Sequence, residues 1–274
     1  CDPSPIKAKR GDFMRILVTN DDGINAPGLR VLEGIAATLA GTNGEVWTIA
    51  PAFEQSGVGH CINYTKPTLI TELSPRRYMI EGSPADCILC ALYDPMKDAR
   101  PDLILSGVNR GNNAAENTLY SGTIGAAIEG ALQGVLSIAL SQFYGPANRD
   151  LDDPFEAAVQ HGADVCRRIL AQKPNDQNGY SVFWNVNFPP VAGADVKGIR
   201  TAPQGRRPGV NFSTIPHDAP NGRRFLWISG GNQQIPPAAG SDAAVNLDGY
   251  ISVTPMRADL TAHDTFPNLA DLDT

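Results

Sequence analysis

The feature that most constrains the fold of this chain is a regular alternation of short apolar stretches with longer stretches that have helical spacing. Residues 15 to 19, RILVT, are apolar and rich in β-branched residues, and after them Leu29, Leu32, Ile35 and Leu39 recur at the spacing of a helix. The same pattern predicts further strands at 45 to 51, 101 to 109, 136 to 142 and 180 to 189, and further helices from Pro84, at 123 to 135 and at 153 to 171. Apolar strands that alternate with helices are typical of a mainly parallel sheet that helices cover on both faces. We therefore predict an α/β fold of this kind.

After Pro189 the amino-acid composition of the chain changes. Proline and glycine become frequent, and strand signals recur only at 225 to 229 and 249 to 255, with no long helix between them. This segment holds too little apolar sequence for a core of its own, so the pattern predicts a β-hairpin or arm extension that packs against another subunit. We divide the chain into residues 1 to 13, an expression remnant or disordered extension, residues 14 to 190, the α/β core, and residues 191 to 274, an extension involved in oligomerisation.

Charge and apolar content limit the classes of partner. The net charge of −7 argues against binding long nucleic acid, because that function requires a basic surface. The sequence has no apolar run of about 18 residues, and its first residues lack the apolar stretch of a signal peptide, so we expect no membrane span and a cytoplasmic location. Five cysteines, an odd number in a chain of this size, are expected to be reduced thiols.

Two adjacent aspartates, Asp21 and Asp22, follow the first predicted strand. Carboxylates this close repel each other, and burial worsens the repulsion unless a cation or a proton lies between them, so each should raise the pKa of the other when no cation is bound. Ser56 follows a second predicted strand and Asn109 ends a third, and the carboxyl ends of parallel strands meet at one edge of the sheet. The four side chains form an all-oxygen set that suits Mg²⁺ or Mn²⁺ better than zinc.

Each of these residues also has an ordinary structural interpretation. Asp-Asp-Gly is common in turns, Ser56 can be a simple loop serine, and Asn109 can cap a turn or a helix. Taken one residue at a time, the sequence leaves both interpretations open.

A second candidate site lies at the start of the helix predicted near residue 123. Ser121, Gly122 and Thr123 would lie where unpaired backbone N–H groups and the helix dipole favour an anion, which predicts a phosphate site. The alternative is a Ser/Thr N-cap followed by a glycine that allows close packing. Asn113 can donate to a phosphate oxygen or stabilise its own loop, and His60 can contact a substrate or simply be solvated.

Six motifs occur in a fixed order between Met14 and Thr261: MRILVTNDDGINAPGL, APAFEQSG, GSPADCILCAL, DLILSGVNRGNN, YSGTIGAA and GYISVTPMRADLT. Together they resemble the SurE survival-protein family of metal-dependent 5'/3'-nucleotidases. The resemblance implies a Rossmann-like phosphatase of nucleoside monophosphates, acting also on short polyphosphate, that assembles as a homodimer or homotetramer through its C-terminal segment. It also implies one divalent metal ion per subunit, Mg²⁺ or Mn²⁺, with Asp21, Asp22, Ser56 and Asn109 as the ligands.

The chain departs from the family pattern just before the YSGT motif. Ala115, Glu116 and Asn117 stand where the family often has a glycine and then aspartates. This departure can change the shape of the loop, but it leaves the four expected ligands intact.

The mechanism expected from these residues is metal-assisted hydrolysis of a phosphomonoester. A metal ion would bind a phosphate oxygen and activate a water molecule, Asp21 or Asp22 would orient that water, and Ser121 and Thr123 would hold the other phosphate oxygens. A phosphatase with an aspartyl nucleophile is an alternative, although its usual D-x-D pattern is absent because residue 23 is glycine. A non-catalytic nucleotide-binding or regulatory module on the same fold is another alternative.

Overall fold

The computed structural model of this chain describes residues 13–172, 179–208, 212–235 and 237–265. Residues 1 to 12, which make up almost all of the predicted N-terminal extension, lie outside these ranges. No helix in the described ranges combines the length and the hydropathy that crossing a membrane requires.

A nine-stranded sheet runs through the centre of the described structure, in the order β3-β4-β2-β1-β5-β6-β7-β11-β8. Its strands are β1 (Arg15–Thr19), β2 (Glu45–Pro51), β3 (Ile70–Ser74), β4 (Arg77–Ile80), β5 (Leu103–Arg110), β6 (Leu136–Gln142), β7 (Phe183–Phe188), β8 (Ile199–Thr201) and β11 (Ile251–Met256), while β9 (Ser213–Asp218) and β10 (Arg224–Ser229) form a separate antiparallel pair. From β4 to β7 every neighbouring pair is parallel. The antiparallel pairs in this sheet lie toward its two ends, where β3 joins β4 and β11 joins β7.

Helices cover both faces of the sheet. They are α1 (Pro27–Ala40), α2 (Pro84–Tyr93), α3 (Gly122–Leu132), α4 (Glu156–Leu170) and α5 (Asp242–Leu247), with short 3₁₀ helices at Ala115–Leu119 and Gly193–Asp195. In β1, Ile16 and Val18 pack in the cluster that contains α1 and α4, whereas Leu17 packs in the cluster that contains α2. All three side chains are fully buried, which is why the three central positions of this strand are all apolar. The predicted α/β fold with a mainly parallel, doubly covered sheet is confirmed.

The strands β3 and β4, like β8 and β9, have no counterpart in the sequence prediction. β3 and β4 form a hairpin at one end of the sheet, joined at Ser74 and Arg77 through a turn in which Arg76 has φ of +65°. These strands are short and mostly half-buried or exposed, so they lack the continuous apolar run by which the other strands were predicted.

The segment after residue 190 divides between two places. β8 and β11 extend the central sheet beyond β7, so two strands of the predicted extension lie in the core sheet itself. β9 and β10 form the predicted hairpin, and their side chains are almost all exposed. Trp227 is 67% exposed and Ile228 is 76% exposed, which is unusual for large apolar side chains.

Candidate active site

Asp21 lies directly after β1 and is held by the start of α3. The side-chain amide of Asn20 donates to the carbonyl of Gly23 (2.9 Å), and Gly23 has φ of +97°, so the chain turns sharply where the strand ends. Across the turn, the Thr123 hydroxyl donates to Oδ1 of Asp21 (2.6 Å) and the Thr123 N–H donates to Oδ2 (3.1 Å). Asp21 is only 4% exposed, so these two bonds fix the orientation of a buried carboxylate.

Thr123 and Gly122 therefore position Asp21 instead of facing the open site. Both donors of Thr123 are engaged by the carboxylate, and a Cβ atom at Gly122 would lie 2.9 Å from the Cβ of Asp21. Only glycine lets the helix start approach so closely. The sequence predicts both residues in a phosphate site, whereas the structure places them behind Asp21 and outside the lining of the adjacent cavity.

Asp22 points toward the neighbouring strand β5. Its Oδ2 accepts a hydrogen bond from the backbone N–H of Arg110 (3.1 Å), and the residue is only partly buried. In the described residues no donor reaches Oδ1 of Asp22, so one oxygen of this carboxylate is open to a ligand. The two aspartates are thus held by two different elements and differ in burial.

Burial, more than mutual repulsion, raises the pKa values of the pair. Desolvation raises the pKa of Asp21 to about 6, against the opposing hydrogen bond from Thr123 and with a further contribution from the charge of Asp22. Desolvation also raises the pKa of Asp22, where the bond from Arg110 opposes it and the charge of Glu54 adds to it. The expected direction is present in both carboxyls, but the largest cause differs from the one the sequence suggests.

The loop that carries Ser56 and the end of β5, which carries Asn109, reach the same edge of the sheet. The N–H of Gln55 donates to the carbonyl of Asp21 (2.7 Å), which ties the loop after β2 to the loop after β1. The Ser56 hydroxyl donates to Glu54 (2.7 Å), so the lone pairs of its oxygen remain available. The Asn109 amide nitrogen donates to the carbonyl of Gly111 (2.9 Å), which leaves the side-chain oxygen of Asn109 without a donor in the described part of the chain.

These oxygen atoms fit a hard divalent cation. Two carboxylates, a hydroxyl and an amide oxygen line one cavity, and this is the donor chemistry that Mg²⁺ and Mn²⁺ favour. Within the described ranges no three His, Cys, Asp or Glu side chains gather in a way that would hold a metal ion. A cation at this edge would therefore depend on the neutral oxygens of Ser56 and Asn109 as well as on the aspartates.

Ser121 and Asn113 also line this cavity. The Ser121 oxygen accepts from the N–H of Ile124 (3.1 Å) as the N-cap of α3, which leaves the hydroxyl proton free to donate. The Asn113 side-chain amide donates to the hydroxyl of Ser141 (2.8 Å), and its N–H donates to Asn187 (2.7 Å). Both residues therefore have the structural role that the sequence left open, and both also face the cavity.

The cavity has a volume of about 830 Å³ and includes residues that sequence reasoning missed. Arg110 follows Asn109 directly, so its position beside a predicted ligand was a usable signal. Tyr120 lines the cavity next to Ser121, and its ring meets Phe212 edge to face with centroids 4.9 Å apart. Phe212 and the hairpin residue Ile228 are far from the motifs in sequence, and no local pattern connects them to the site.

His60 does not line the cavity. Its Nε2 lies 2.7 Å from a carboxylate oxygen of Glu129 on α3, and this contact lowers the pKa of the Glu129 carboxyl. The backbone supports the same packing, because the N–H of Gly59 donates to the carbonyl of Tyr120 (3.0 Å). The structure places His60 as an anchor that holds the loop after Ser56 against α3.

The unusual loop before Ser121 is held by the segment that follows β8. Ala115 has φ of +55°, a conformation that glycine adopts more easily, and its N–H donates to the buried Asp242 (3.0 Å). Glu116 accepts from the N–H of Arg207 (3.0 Å), and the buried Arg207 side chain donates to the carbonyl of Ala114 (3.1 Å). Asn117 donates to Gln233 (2.9 Å). The three residues that depart from the family pattern thus all bind the C-terminal part of the chain.

Known proteins match this chain along most of its length. The family model described as survival protein SurE matches residues 16–210. The chain is 67% identical to the 5'-nucleotidase SurE of Roseobacter denitrificans, over 95% of this chain and 100% of that protein. It is 64% identical to the 5'-nucleotidase SurE of Ruegeria pomeroyi, over 93% of this chain and 98% of that protein.

A solved structure supports the same relationship. The crystal structure of the SurE protein from Aquifex aeolicus superposes with a TM-score of 0.79 at 32% sequence identity, covering 95% of this chain and 100% of that chain. Sequence and fold agree over nearly the whole length of the chain. The chain therefore belongs to the SurE survival-protein family.

Proposed function

We propose that this protein is a metal-dependent phosphatase that hydrolyses nucleoside 5'-monophosphates to a nucleoside and phosphate. The observation that carries the proposal is one cavity that brings together Asp21, Asp22, Ser56, Asn109 and Ser121. Relatives that are 62 to 67% identical bear the name 5'-nucleotidase SurE, which supports the same activity for this chain.

The metal would be one Mg²⁺ or Mn²⁺ ion in each subunit, held by Asp21, Asp22, Ser56 and Asn109. When bound, such an ion lowers the pKa of a water molecule and offsets negative charge on the phosphoryl group. The chain prepares the site in two ways. Thr123 fixes the Asp21 carboxylate with two hydrogen bonds, and the N–H of Arg110 leaves Oδ1 of Asp22 open.

The remaining residues of the cavity would orient the water and the phosphate. Asp22, with its open oxygen, is the better placed of the two aspartates to orient the attacking water. The free hydroxyl proton of Ser121 and the second amide proton of Asn113 can each donate to a phosphate oxygen. These donors are held by the N-cap of α3 and by Ser141, so they are in place before the substrate arrives.

The nucleoside would lie against the aromatic side of the cavity. Tyr120 and Phe212 form an edge-to-face pair there, and Ile228 adds apolar surface from the hairpin. Nucleobases bind well to aromatic and apolar walls of this kind. Short polyphosphate and 3'-monophosphates are further substrates that we include in the proposal, because both present a phosphate group to the same donors.

Two alternatives to this mechanism predict different observations. An aspartyl nucleophile would leave a covalent phosphoryl-enzyme, but both oxygens of Asp21 accept hydrogen bonds from Thr123, which makes Asp21 a poor nucleophile. A non-catalytic nucleotide-binding module would bind a nucleoside monophosphate and release no phosphate.

The natural partner of the exposed hairpin is a second copy of this chain, in a homodimer or homotetramer. Trp227 and Ile215 form a cross-strand pair on β9 and β10, and both are more than half exposed. A surface of this kind is typical of an interface between subunits. Long nucleic acid is not a proposed partner, because the net charge of the chain is −7.

The decisive experiment is a panel of nucleoside 5'- and 3'-monophosphates and short polyphosphate, each assayed for phosphate release with chelator, Mg²⁺ or Mn²⁺. We expect release only with a divalent ion, and a large loss of release in Asp22→Asn. Asp164→Asn, which removes an exposed carboxylate on α4, is the matched control and should keep full activity. Nucleotide binding without phosphate release in the parent protein would refute the proposal in favour of a binding module.

A further inference from the structure

Arg110 is the last residue of β5 and lines the cavity beside Asp22. Its backbone N–H donates to Asp22, but its guanidinium makes no hydrogen bond or ion pair within the described part of the chain. The guanidinium is nevertheless close to the reactive end of the cavity. Its positive charge acts against the burial that raises the pKa of Asp22 and against the burial that raises the pKa of Tyr144 to about 12.

The charges in the cavity explain why such a group is needed. Asp21, Asp22 and Glu54 line the cavity and carry up to three negative charges, of which one divalent cation offsets only two. A phosphate monoester brings close to two further negative charges at neutral pH. Without another cation, the substrate would therefore enter a site that already has a net negative charge.

Two cationic side chains line the cavity within the described ranges, Arg110 and Arg149. Both arginines are exposed, but Arg149 lies 3.3 Å from the carboxylate of Asp150, so part of its charge is already offset. Arg110 has no such partner and lies on a strand of the central sheet, where the backbone is fixed. Its planar guanidinium presents several donors in the geometry that suits phosphate oxygens.

We propose that the guanidinium of Arg110 binds the phosphate group of the substrate and stabilises the negative charge on that group during hydrolysis. The inference rests on the proposed phosphatase function and adds to it a substrate-contacting residue outside the expected metal and phosphate set. It also separates two roles of one residue. The backbone N–H of Arg110 orients Asp22 whatever side chain is present, whereas the guanidinium binds the phosphate group.

This separation gives a test in which two affinities should move differently. Arg110→Gln removes a positive charge but keeps the backbone N–H, so Mn²⁺ should bind as tightly as in the parent or more tightly. Inorganic phosphate, titrated by calorimetry at saturating Mn²⁺, should bind about 10-fold more weakly or worse, because a charge-assisted contact is lost. The value of kcat/KM for a nucleoside monophosphate should fall about 100-fold, and Arg110→Lys should recover part of that loss.

Two further variants complete the design. Arg149→Gln removes the other cation of the cavity and should have a smaller effect than Arg110→Gln on phosphate affinity. Arg168→Gln removes an exposed arginine of α4 that pairs with Asp164, and it should match the parent in every assay. Circular dichroism and thermal melts establish that each variant is folded.

The outcomes either support the inference or overturn it. Phosphate affinity and kcat/KM within about twofold of the parent in Arg110→Gln would overturn it, as would an equal loss of Mn²⁺ and phosphate affinity, which indicates a merely structural role. A larger loss in Arg149→Gln would assign the role to that residue instead. A parent protein that binds phosphate in an Arg110-dependent way but hydrolyses no monophosphate would refute the proposed function while supporting the anion site.

Discussion

The raised pKa of Asp21 makes a specific prediction for the metal-free protein. Burial raises this pKa from an ordinary value of 3.8 to about 6, and the residue is only 4% exposed. The folded protein therefore holds a proton on Asp21 over a pH range in which the unfolded chain has released it. Binding of this proton stabilises the folded protein relative to the unfolded chain, and the stabilisation is fully present below pH 3.8 and is lost as the pH rises through about 6. The rise corresponds to about 3 kcal/mol in the free energy of unfolding.

Replacing Asp21 by Asn isolates this contribution. The asparagine oxygen can still accept from the Thr123 hydroxyl, but the amide nitrogen cannot accept from the Thr123 N–H, which costs about 1 to 3 kcal/mol at every pH. In chelator, we expect Asp21→Asn to be less stable than the parent at pH of about 3.5 and to gain about 3 kcal/mol relative to the parent by pH of about 7.5. Urea denaturation of both proteins across this range measures the difference directly, and other titrating groups largely cancel in it.

Mn²⁺ should reverse the relation at neutral pH. At a concentration about 100 times its dissociation constant, the ion should stabilise the parent by about 2.7 kcal/mol and stabilise Asp21→Asn much less. Asp164→Asn, on the exposed side of α4, controls for the loss of a carboxylate elsewhere. A difference between Asp21→Asn and the parent that does not change with pH in chelator would refute the reasoning.

Three other predictions concern the metal, the support of Asp21 and the hairpin. Exhaustive chelation should abolish phosphate release and added Mn²⁺ or Mg²⁺ should restore it; full activity in chelator would contradict the oxygen-ligand site. Thr123→Val removes the 2.6 Å hydrogen bond to Asp21 but keeps the shape of the side chain, so it should lower the free energy of unfolding by about 1 to 3 kcal/mol in urea denaturation. It should also weaken Mn²⁺ binding in calorimetry, and an unchanged Mn²⁺ affinity would contradict the positioning role of Thr123. Trp227→Lys should shift the sedimentation profile to smaller species while the far-UV circular dichroism is kept; an unchanged profile would argue against the hairpin as the subunit interface.

The sequence by itself determined the central architecture. Strands buried on both faces are apolar over most of their length, and helices packed on a sheet repeat their apolar residues at the helical period, so local spacing encodes each element. The predicted stretch at 136 to 142 has the same bounds as the observed β6, and the predicted stretch at 45 to 51 has the same bounds as β2. Because parallel strands present their carboxyl ends at one edge, the sequence also predicts that Asp21, Ser56 and Asn109 meet there.

Only the tertiary structure decided which groups contact each other at that edge. Thr123 is separated from Asp21 by 102 residues along the chain. Whether Thr123 binds the carboxylate of Asp21 or a phosphate group depends on how closely α3 approaches the turn after β1. The same is true of Phe212 and Ile228, which reach the cavity from a segment whose local pattern shows only short strands. The sequence likewise predicts β11 as part of an extension, whereas in the structure it pairs antiparallel with β7 inside the core sheet. Spacing along a chain specifies the period of each element, whereas the partner of a side chain depends on distances that exist only after the elements have packed.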